Sequence, residues 1–138
     1  MHIAQFNVSR LKHGPDDPRL VSFGIGANMV RREAAKTPGH VWNQQDILPG
    51  DVFATRSVWE SLEALKAFVY SGIHERYFRR SAEWFVPMEE RNFVLWYIDV
   101  GEQPTLEESQ RRLDLLRAEG PSDAAFDFAT VVKQKRVP

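Results

Sequence analysis

The chain of 138 residues is long enough for one domain with one core, and 43% hydrophobic with 27% charged residues is ordinary for a soluble globular protein. A net charge of -1 at pH 7 argues against a nucleic-acid-binding surface, which usually needs a concentrated basic excess. No apolar run approaches the roughly 20 residues that span a bilayer, which argues against a membrane protein. The basic end with Lys133, Lys135 and Arg136 is expected to be a solvated tail.

The chain contains no cysteine, so neither a disulfide framework nor a thiolate metal site is expected. No two of the four histidines lie four residues apart as in a helical metal motif, and His13, which has Asp17 four residues later, lies in a predicted loop with Gly14-Pro15, so no metal site is expected either. The first residues lack the charged and apolar blocks of a signal peptide. Together these features predict a cytoplasmic protein.

The first two predicted elements are a strand and a helix. Alternation from His2 to Val8 indicates a strand with one polar-tolerant face. Asp17-Pro18 is typical of a helix start, and apolar residues then recur at helical spacing until Thr37-Pro38-Gly39 ends the helix. Gly24 and Gly26 inside it are each unfavourable by about 1 kcal/mol relative to Ala. We expect them where a neighbouring element or a ligand approaches the helix closely.

A hairpin follows. His40 to Gln45 is predicted as its first strand and Asp51 to Trp59 as its second, with Pro49-Gly50 at the centre of a type II turn. The second strand alternates, and its side chains on one face are predicted to be Phe53, Thr55, Ser57 and Trp59.

The hydrophobic period changes from strand to helix at Glu60-Ser61, and the Ser61 hydroxyl is placed to cap the new helix. Ser71-Gly72 is expected to interrupt or bend this helix. A second amphipathic piece then carries His74, Tyr77 and Phe78. Strand, sharp turn, helix, kink and histidine-bearing helix therefore follow one another without a linker.

The last part of the chain supplies one more strand and one more helix. Asn92 to Val100 is almost wholly apolar, which is typical of a strand in the middle of a sheet or at an interface. Thr105 to Glu108 forms a capping box that opens a helix ending at Gly120-Pro121. The remainder, with Phe126 and Phe128, can add a short strand.

This order predicts a single α+β domain over residues 1-138, with a ferredoxin-like βαββαβ antiparallel sheet, helices on one face and an extra C-terminal helix. A single layer of helices leaves one face of the sheet uncovered. The simplest remedy is a homodimer that pairs two sheets face to face.

The chain resembles an uncharacterised family, a domain of unknown function among the dimeric α+β barrels, related to antibiotic biosynthesis monooxygenase-like proteins. The similarity covers nearly the whole chain. It rests on these sequence segments: Ile3 to Val8, Asp16-Asp17-Pro18, Ser57 to Leu65, Phe68 to His74, Trp84-Phe85, Leu95-Trp96, and the last predicted helix from Pro104 to Glu108 through Gly120-Pro121. The resemblance implies the ferredoxin-like fold, a homodimer and a ligand pocket between the sheet and its own helices.

Relatives in this superfamily include cofactor-free oxygenases, haem-degrading monooxygenases, polyketide cyclases and isomerases. The haem degraders use an Asn on the first strand with a Trp and a His on the second helix. Asn7 matches the Asn, but Phe68 and Phe78 stand where the Trp and the His are required. Haem degradation is therefore not expected. The segment between Gln45 and Asp51 is shorter than in relatives, which puts a lid role for that loop in doubt.

His74 is the strongest candidate for a catalytic base, because an imidazole that titrates near neutral pH can take a proton from a carbon acid or a phenol. The alternative is a structural histidine bonded to a backbone carbonyl at the kink. Asn7 is the second catalytic candidate, since its amide can donate to a carbonyl or a developing oxyanion. A hydrogen bond from the sheet to a loop is the alternative for Asn7. The predicted substrate-binding residues are Gln5, Phe23, Phe68, Tyr70 and Phe78.

The sequence and the resemblance together predict a monooxygenase-like enzyme for a small aromatic or polyketide-like molecule, with a histidine base and no bound cofactor or metal. A cyclase or isomerase would use the same base without oxygen. A module that binds a small ligand or a partner without catalysis is the alternative from another class.

Overall fold

The structure is a computed structural model that describes residues 1-14 and 16-129. It contains a four-stranded antiparallel sheet in the order β2-β3-β1-β4. The strands are β1 (His2–Arg10), β2 (His40–Leu48), β3 (Val52–Trp59) and β4 (Phe93–Ile98). This order is that of the ferredoxin-like split βαβ pattern. The predicted fold class is confirmed.

Five α-helices belong to the described residues, preceded by a 3-10 turn at Pro18–Leu20. They are α1 (Val21–Lys36), α2 (Leu62–Val69), α3 (Gly72–Arg79), α4 (Ser81–Trp84) and α5 (Leu106–Glu119). The predicted caps are present: Asp17 accepts from the Arg19 amide at 2.8 Å, and the hydroxyls of Ser61 and Thr105 each accept from an amide three residues later at 3.1 Å. Each cap satisfies a donor that the first helical turn leaves free.

The hairpin of β2 and β3 is longer than predicted, because β2 continues to Leu48 and pairs there with Val52. Gly50 has the positive φ, 82°, that the second central residue of a type II turn requires, and Asp51 follows with a φ of 59°. The segment between the two strands is therefore a tight turn without room for a lid.

Alternation along the strands gives the sheet two different faces. On the face that we call the back face, the buried core includes Phe6, Val58 and Trp96, and α5 packs against it through Leu113 and Leu116. The predicted C-terminal helix thus covers the part of the sheet formed by β1 and β4. The chain before α5 covers a further part, since the Arg56 guanidinium donates to the Pro104 carbonyl at 2.8 Å.

A sheet face left fully uncovered was the reason for expecting a homodimer, and α5 removes part of that reason. The homodimer remains a prediction. Its sheet-to-sheet form would have to use what α5 leaves accessible, mainly the β2 side of the back face, where Trp42 is only partly buried.

The sequence predicted two possible positions for the apolar run of β4, the middle of the sheet or an interface. β4 lies at the edge of the sheet and not in its middle. Its burial has another cause: α5 packs on one face, while the chain after α5 returns along the outer edge of the strand. There Phe126 exchanges both backbone hydrogen bonds with Leu95, at 2.8 and 2.9 Å, and its ring packs against Tyr97. The predicted short strand is thus a single bridge within the described residues.

The predicted basic tail of Lys133, Lys135 and Arg136 lies outside the described residues. Among the described helices, none combines the length and the apolar character needed to cross a membrane.

Candidate active site

A cavity of about 950 Å³ lies between the sheet and the helices, on the face opposite α5. Residues of α1, α2 and α3 form its walls. Its floor consists of side chains that alternate along three strands and are almost all polar and uncharged. They are Gln5, Asn7, Ser9, Asn43, Gln45, Thr55 and Ser57. Seven polar side chains on one sheet face are unusual for a core and are suited to binding a polar ligand.

His74 lines this cavity, and its ring orientation is set by the break between α2 and α3. The last carbonyls of a helix have no intrahelical amide to accept from, and α2 ends at Val69. The His74 Nδ1–H donates to the Val69 carbonyl at 2.9 Å. This bond selects the tautomer in which Nε2 carries the free lone pair. Within the described part of the chain, Nε2 has no hydrogen-bond partner.

The protonation state of His74 follows from its surroundings. Burial lowers the pKa of His74 below its ordinary value of 6.5, because desolvation disfavours the charged ring. The hydrogen bond to Val69 acts in the opposite direction and is the smaller effect. His74 is therefore neutral at pH 7 and able to accept a proton at Nε2.

An aromatic column holds the His74 ring from behind. The Phe68 ring meets it edge to face at a centroid distance of 5.0 Å, and the Trp59 ring stacks on Phe68 at 5.3 Å. His40 closes the column with an edge contact to Trp59 at 5.2 Å. Because Trp59 and Phe68 are buried, the column fixes the position of His74 relative to the sheet.

A chain of hydrogen bonds fixes part of the floor. The Trp59 indole N–H donates to the Ser57 hydroxyl at 2.9 Å, and the Ser57 hydroxyl donates to the side-chain oxygen Oε1 of Gln5 at 2.8 Å. The Gln5 amide nitrogen is then directed toward Thr55, at 3.5 Å. Ser57 and Gln5 are both buried, and this chain satisfies their polar groups.

Asn7 differs from Gln5, although both lie on β1 and line the same floor. The Asn7 side chain makes no hydrogen bond to another described residue. Its amide therefore has both a donor and an acceptor available to a ligand. The hydrogen bond from the sheet to a loop that was the alternative for Asn7 is not found among the described residues.

Tyr77 on α3 forms part of the wall, and one edge of its ring lies against α1. A Cβ at Gly26 would come within 2.7 Å of the Tyr77 ring, which explains the glycine at this position. The Trp84 ring holds Tyr77 from another side, with a centroid distance of 4.9 Å. Burial raises the pKa of Tyr77, whose hydroxyl has no partner within the described chain. No neighbour approaches the Cβ position of Gly24, so the same account does not apply there.

Six of the seven predicted site residues line the cavity, namely Gln5, Asn7, Phe68, Tyr70, His74 and Phe78. Tyr70 and Phe78 are 69% and 68% exposed, so they lie at the rim and not deep in the walls. Phe23 does not line the cavity. It is buried in a separate part of the core, in edge contact with Phe53 at 4.9 Å and Phe85 at 5.5 Å. Phe53 and Phe85 line the cavity in its place.

The residues that the sequence interpretation missed are mostly the amides and hydroxyls of the floor, Asn43, Gln45, Thr55 and Ser57, together with Tyr77 on the wall. The signal was present in the alternation of β2 and β3, which places polar side chains on the same face as Trp59. Charged groups at the cavity include Arg31 and Glu75, both exposed on helices. Among the described residues, no three His, Asp or Glu side chains come together as a metal site would require.

The fold and the cavity define an α+β protein of the ferredoxin-like type. Residues 2–138 match the family model described as a domain of unknown function, DUF3291, so the chain belongs to that family. No curated protein matches the chain.

Solved structures with the same fold come from several organisms. A conserved protein from Methanosarcina mazei Go1 has a TM-score of 0.59 and 13% identity, over 72% of this chain and 94% of that one. A protein from Nitrosomonas europaea assigned to the antibiotic biosynthesis monooxygenases has a TM-score of 0.60 and 12% identity, over 75% and 94%. SnoaB, a cofactor-independent oxygenase from Streptomyces nogalater, has a TM-score of 0.56 and 11% identity, over 73% and 98%. At these identities the likeness concerns the fold alone.

Proposed function

We propose that this protein is a monooxygenase-like enzyme that oxidises a small aromatic or polyketide-like molecule bound in the cavity between the sheet and the helices, with His74 as the base. The observation that carries the proposal is the arrangement of His74. Its Nδ1–H is held by the Val69 carbonyl, so Nε2 has its lone pair available at the wall of a cavity of about 950 Å³. The cofactor-independent oxygenase activity of SnoaB, a protein of the same fold, supports the proposed chemistry.

The proposed reaction begins when His74 Nε2 takes a proton from an activated CH₂ group or a phenol of the substrate. The resulting anion gives one electron to O₂, and the two radicals combine to form a C–O bond. The peroxide anion takes back the proton from His74 to give a hydroperoxide, and cleavage of its O–O bond with loss of the remaining C–H proton gives C=O and water. The balance is CH₂ + O₂ → C=O + H₂O. The substrate supplies all the electrons, so no flavin, haem or metal takes part in this scheme.

Asn7 and Gln5 have different parts in this proposal. The free Asn7 amide would donate to the substrate oxygen on which negative charge develops after proton removal. Gln5 is held by Ser57 and would serve as a fixed polar contact on the floor. Phe68 would form the apolar wall beside the base, with Tyr70 and Phe78 at the entrance.

Two alternatives use the same geometry. A cyclase or isomerase would need only proton transfer at His74 Nε2, and oxygen uptake during turnover separates it from an oxygenase. A non-catalytic binding module is favoured by one observation, because the bond from His74 to Val69 is also what a structural histidine would make.

The His74→Gln variant tests the catalytic assignment. Candidate phenols, naphthols and activated carbon acids are first screened for turnover and oxygen uptake with the wild-type protein. A positioned base contributes about 10²–10⁴-fold, so His74→Gln should lower kcat by that factor while KM changes little. His13→Gln, at a histidine outside the cavity, serves as the control and should keep full activity.

The opposite result is equally clear. If His74→Gln lowers the unfolding free energy by about 1–3 kcal/mol through an unpaired buried group, while kcat per folded molecule stays within a few-fold, His74 is structural. If His74→Gln lowers kcat as expected but wild-type turnover consumes no oxygen, the protein is a cyclase or isomerase and not an oxygenase.

A further inference from the structure

Two amide side chains on the edge strand β2 are held in the same way. Asn43 and Gln45 both belong to the floor of the cavity. The Asn43 amide nitrogen contacts His40 Nε2 at 2.7 Å, and the Gln45 amide nitrogen donates to the Ala27 carbonyl of α1 at 3.0 Å. Each amide nitrogen thus contacts another group of the protein.

The His40 ring determines which end of Asn43 faces the cavity. An amide nitrogen can only donate, so His40 Nε2 accepts with its lone pair, which requires a neutral ring. Burial lowers the pKa of His40 and favours this neutral form. The Ala27 carbonyl likewise fixes the orientation of the Gln45 amide. Because a carbonyl can only accept, the amide nitrogen is the end that points toward Ala27.

The consequence is a row of acceptors along one side of the cavity. Asn43 Oδ1 and Gln45 Oε1 have no hydrogen-bond partner in the described part of the chain. Residues two apart on a strand lie about 6.6 Å apart on the same face. β2 therefore offers two unpaired side-chain carbonyl oxygens side by side, whereas each amide nitrogen already uses one of its two N–H groups in a contact with the protein.

We propose that Asn43 and Gln45 determine specificity, and that the natural ligand carries two hydrogen-bond donors, such as phenolic hydroxyls, on the edge that faces β2. This inference rests on the proposed function only in taking the cavity as the ligand site. It adds a requirement that neither the base nor the apolar wall imposes. A ligand with ether or carbonyl oxygens on that edge would leave both protein acceptors desolvated without a donor, and such unpaired groups discriminate strongly between ligands.

The opposite side of the floor is different. Asn7 on β1 has both ends of its amide free, so it tolerates either a donor or an acceptor. The polarity of the cavity is thus asymmetric: acceptors along β2 and an adaptable amide on β1. A ligand with hydroxyls on one edge and a carbonyl on the other fits this asymmetry in one orientation.

Binding of two matched probes tests the inference without any turnover. The probes are 2,7-dihydroxynaphthalene, whose two hydroxyls lie on one edge at a comparable separation, and 2,7-dimethoxynaphthalene, which has no donor. Calorimetry or quenching of tryptophan fluorescence gives Kd. A hydrogen bond contributes about 1 kcal/mol net, or about fivefold in Kd. We expect the diol to bind wild-type protein at least tenfold more tightly than the diether.

The variants separate specificity from general damage. Asn43→Ala and Gln45→Ala should each weaken diol binding about fivefold and change diether binding less than about twofold. Asn43→Asp should keep the preference for the diol, because His40 can change to the tautomer that carries a hydrogen on Nε2 and donate to one carboxylate oxygen, while the other oxygen still accepts from the ligand. Gln110→Ala removes an amide on α5, on the other side of the sheet, and should change neither Kd.

Each result has a distinct meaning. Equal wild-type affinities for the two probes, or equal losses for both in Asn43→Ala and Gln45→Ala, would overturn the donor requirement and leave His74 and the aromatic pocket untouched. Loss of the diol preference in Asn43→Asp would also count against it. Failure of both probes to bind wild-type protein would overturn this inference and the proposed aromatic ligand together, whereas turnover by His74→Gln bears on the proposed reaction alone.

Discussion

The two faces of the sheet are built from the same strands and have opposite characters. Along β1, Ala4, Phe6 and Val8 point to the back face and are buried under α5, whereas Gln5, Asn7 and Ser9 point to the cavity. The same alternation continues on β3. One face is filled by apolar side chains, and the other is lined by amides and hydroxyls beneath an open space. The back face therefore stabilises the fold through apolar burial, and the amides and hydroxyls of the cavity floor form the binding site.

This division has a physical reason. Apolar burial stabilises a fold in proportion to area and without directional demands, so one well-packed face can hold the sheet together. Polar groups on the other face add little stability, because their hydrogen bonds replace bonds to water. Their directionality makes them useful for recognising a ligand.

Neighbouring residues on β1 provide the most direct test. Phe6→Ala removes a fully buried ring from the back face and should lower the unfolding free energy by about 3–5 kcal/mol. Asn7→Ala, one residue further on the cavity face, should change it by about 0.5 kcal/mol or less. Urea denaturation measures both. Comparable losses for the two variants would refute the division of roles.

A pair of glycines on α1 tests how tightly the cavity wall is built. Gly26→Ala places a methyl group against the Tyr77 ring, which Trp84 prevents from moving freely, and should destabilise the protein by about 1–3 kcal/mol. Gly24→Ala meets nothing within 4 Å and should stabilise α1 by about 0.5–1 kcal/mol. Thermal unfolding of both proteins gives the comparison. A tolerated Gly26→Ala would mean that Tyr77 is free to leave the wall.

The smallest effect is the dependence of stability on pH. His40 and His74 have folded-state pKa values below 6.5, so the unfolded state binds more protons than the folded state just below pH 6.5. Their contribution to stability is therefore fully present above pH 6.5 and is lost as pH falls toward the folded-state pKa values. Urea denaturation from about pH 8 down to about pH 5 should show this decrease. The double variant His40→Gln/His74→Gln should show a flatter profile, and an unchanged slope would contradict the assignment.

Most of the fold could be predicted from the sequence because it depends on local signals. The caps at Asp17, Ser61 and Thr105 and the break at Ser71-Gly72 are set by residues close to each other in the chain. The position of α5 on the back face could not be predicted in this way. The apolar stripe of α5 shows that the helix packs against another element, but it does not show which face of the sheet it covers. The prediction that one sheet face is uncovered was therefore only partly correct.

The candidate site was less predictable. Gln5, Asn7, Phe68 and His74 were selected by position and residue type, and they meet at the cavity. Phe23 was selected for the same reasons, but the contacts that bury it come from Phe53 and Phe85, which are distant in sequence. The free ends of Asn43 and Gln45 depend on His40 and Ala27, and the sequence does not show which end of an amide is occupied.

The bridge between Phe126 and Leu95 has a consequence for solubility. β4 is a short, uncharged run of aromatic and branched side chains at the edge of the sheet, which is the type of segment that pairs with copies of itself in aggregates. Phe126 occupies both backbone groups of Leu95 near the middle of this run. The chain after α5 thereby blocks the outer edge of β4 at the point where an intermolecular strand would begin to pair. Phe126, which does not line the cavity, thus protects the edge of β4 from pairing with the same strand of another molecule.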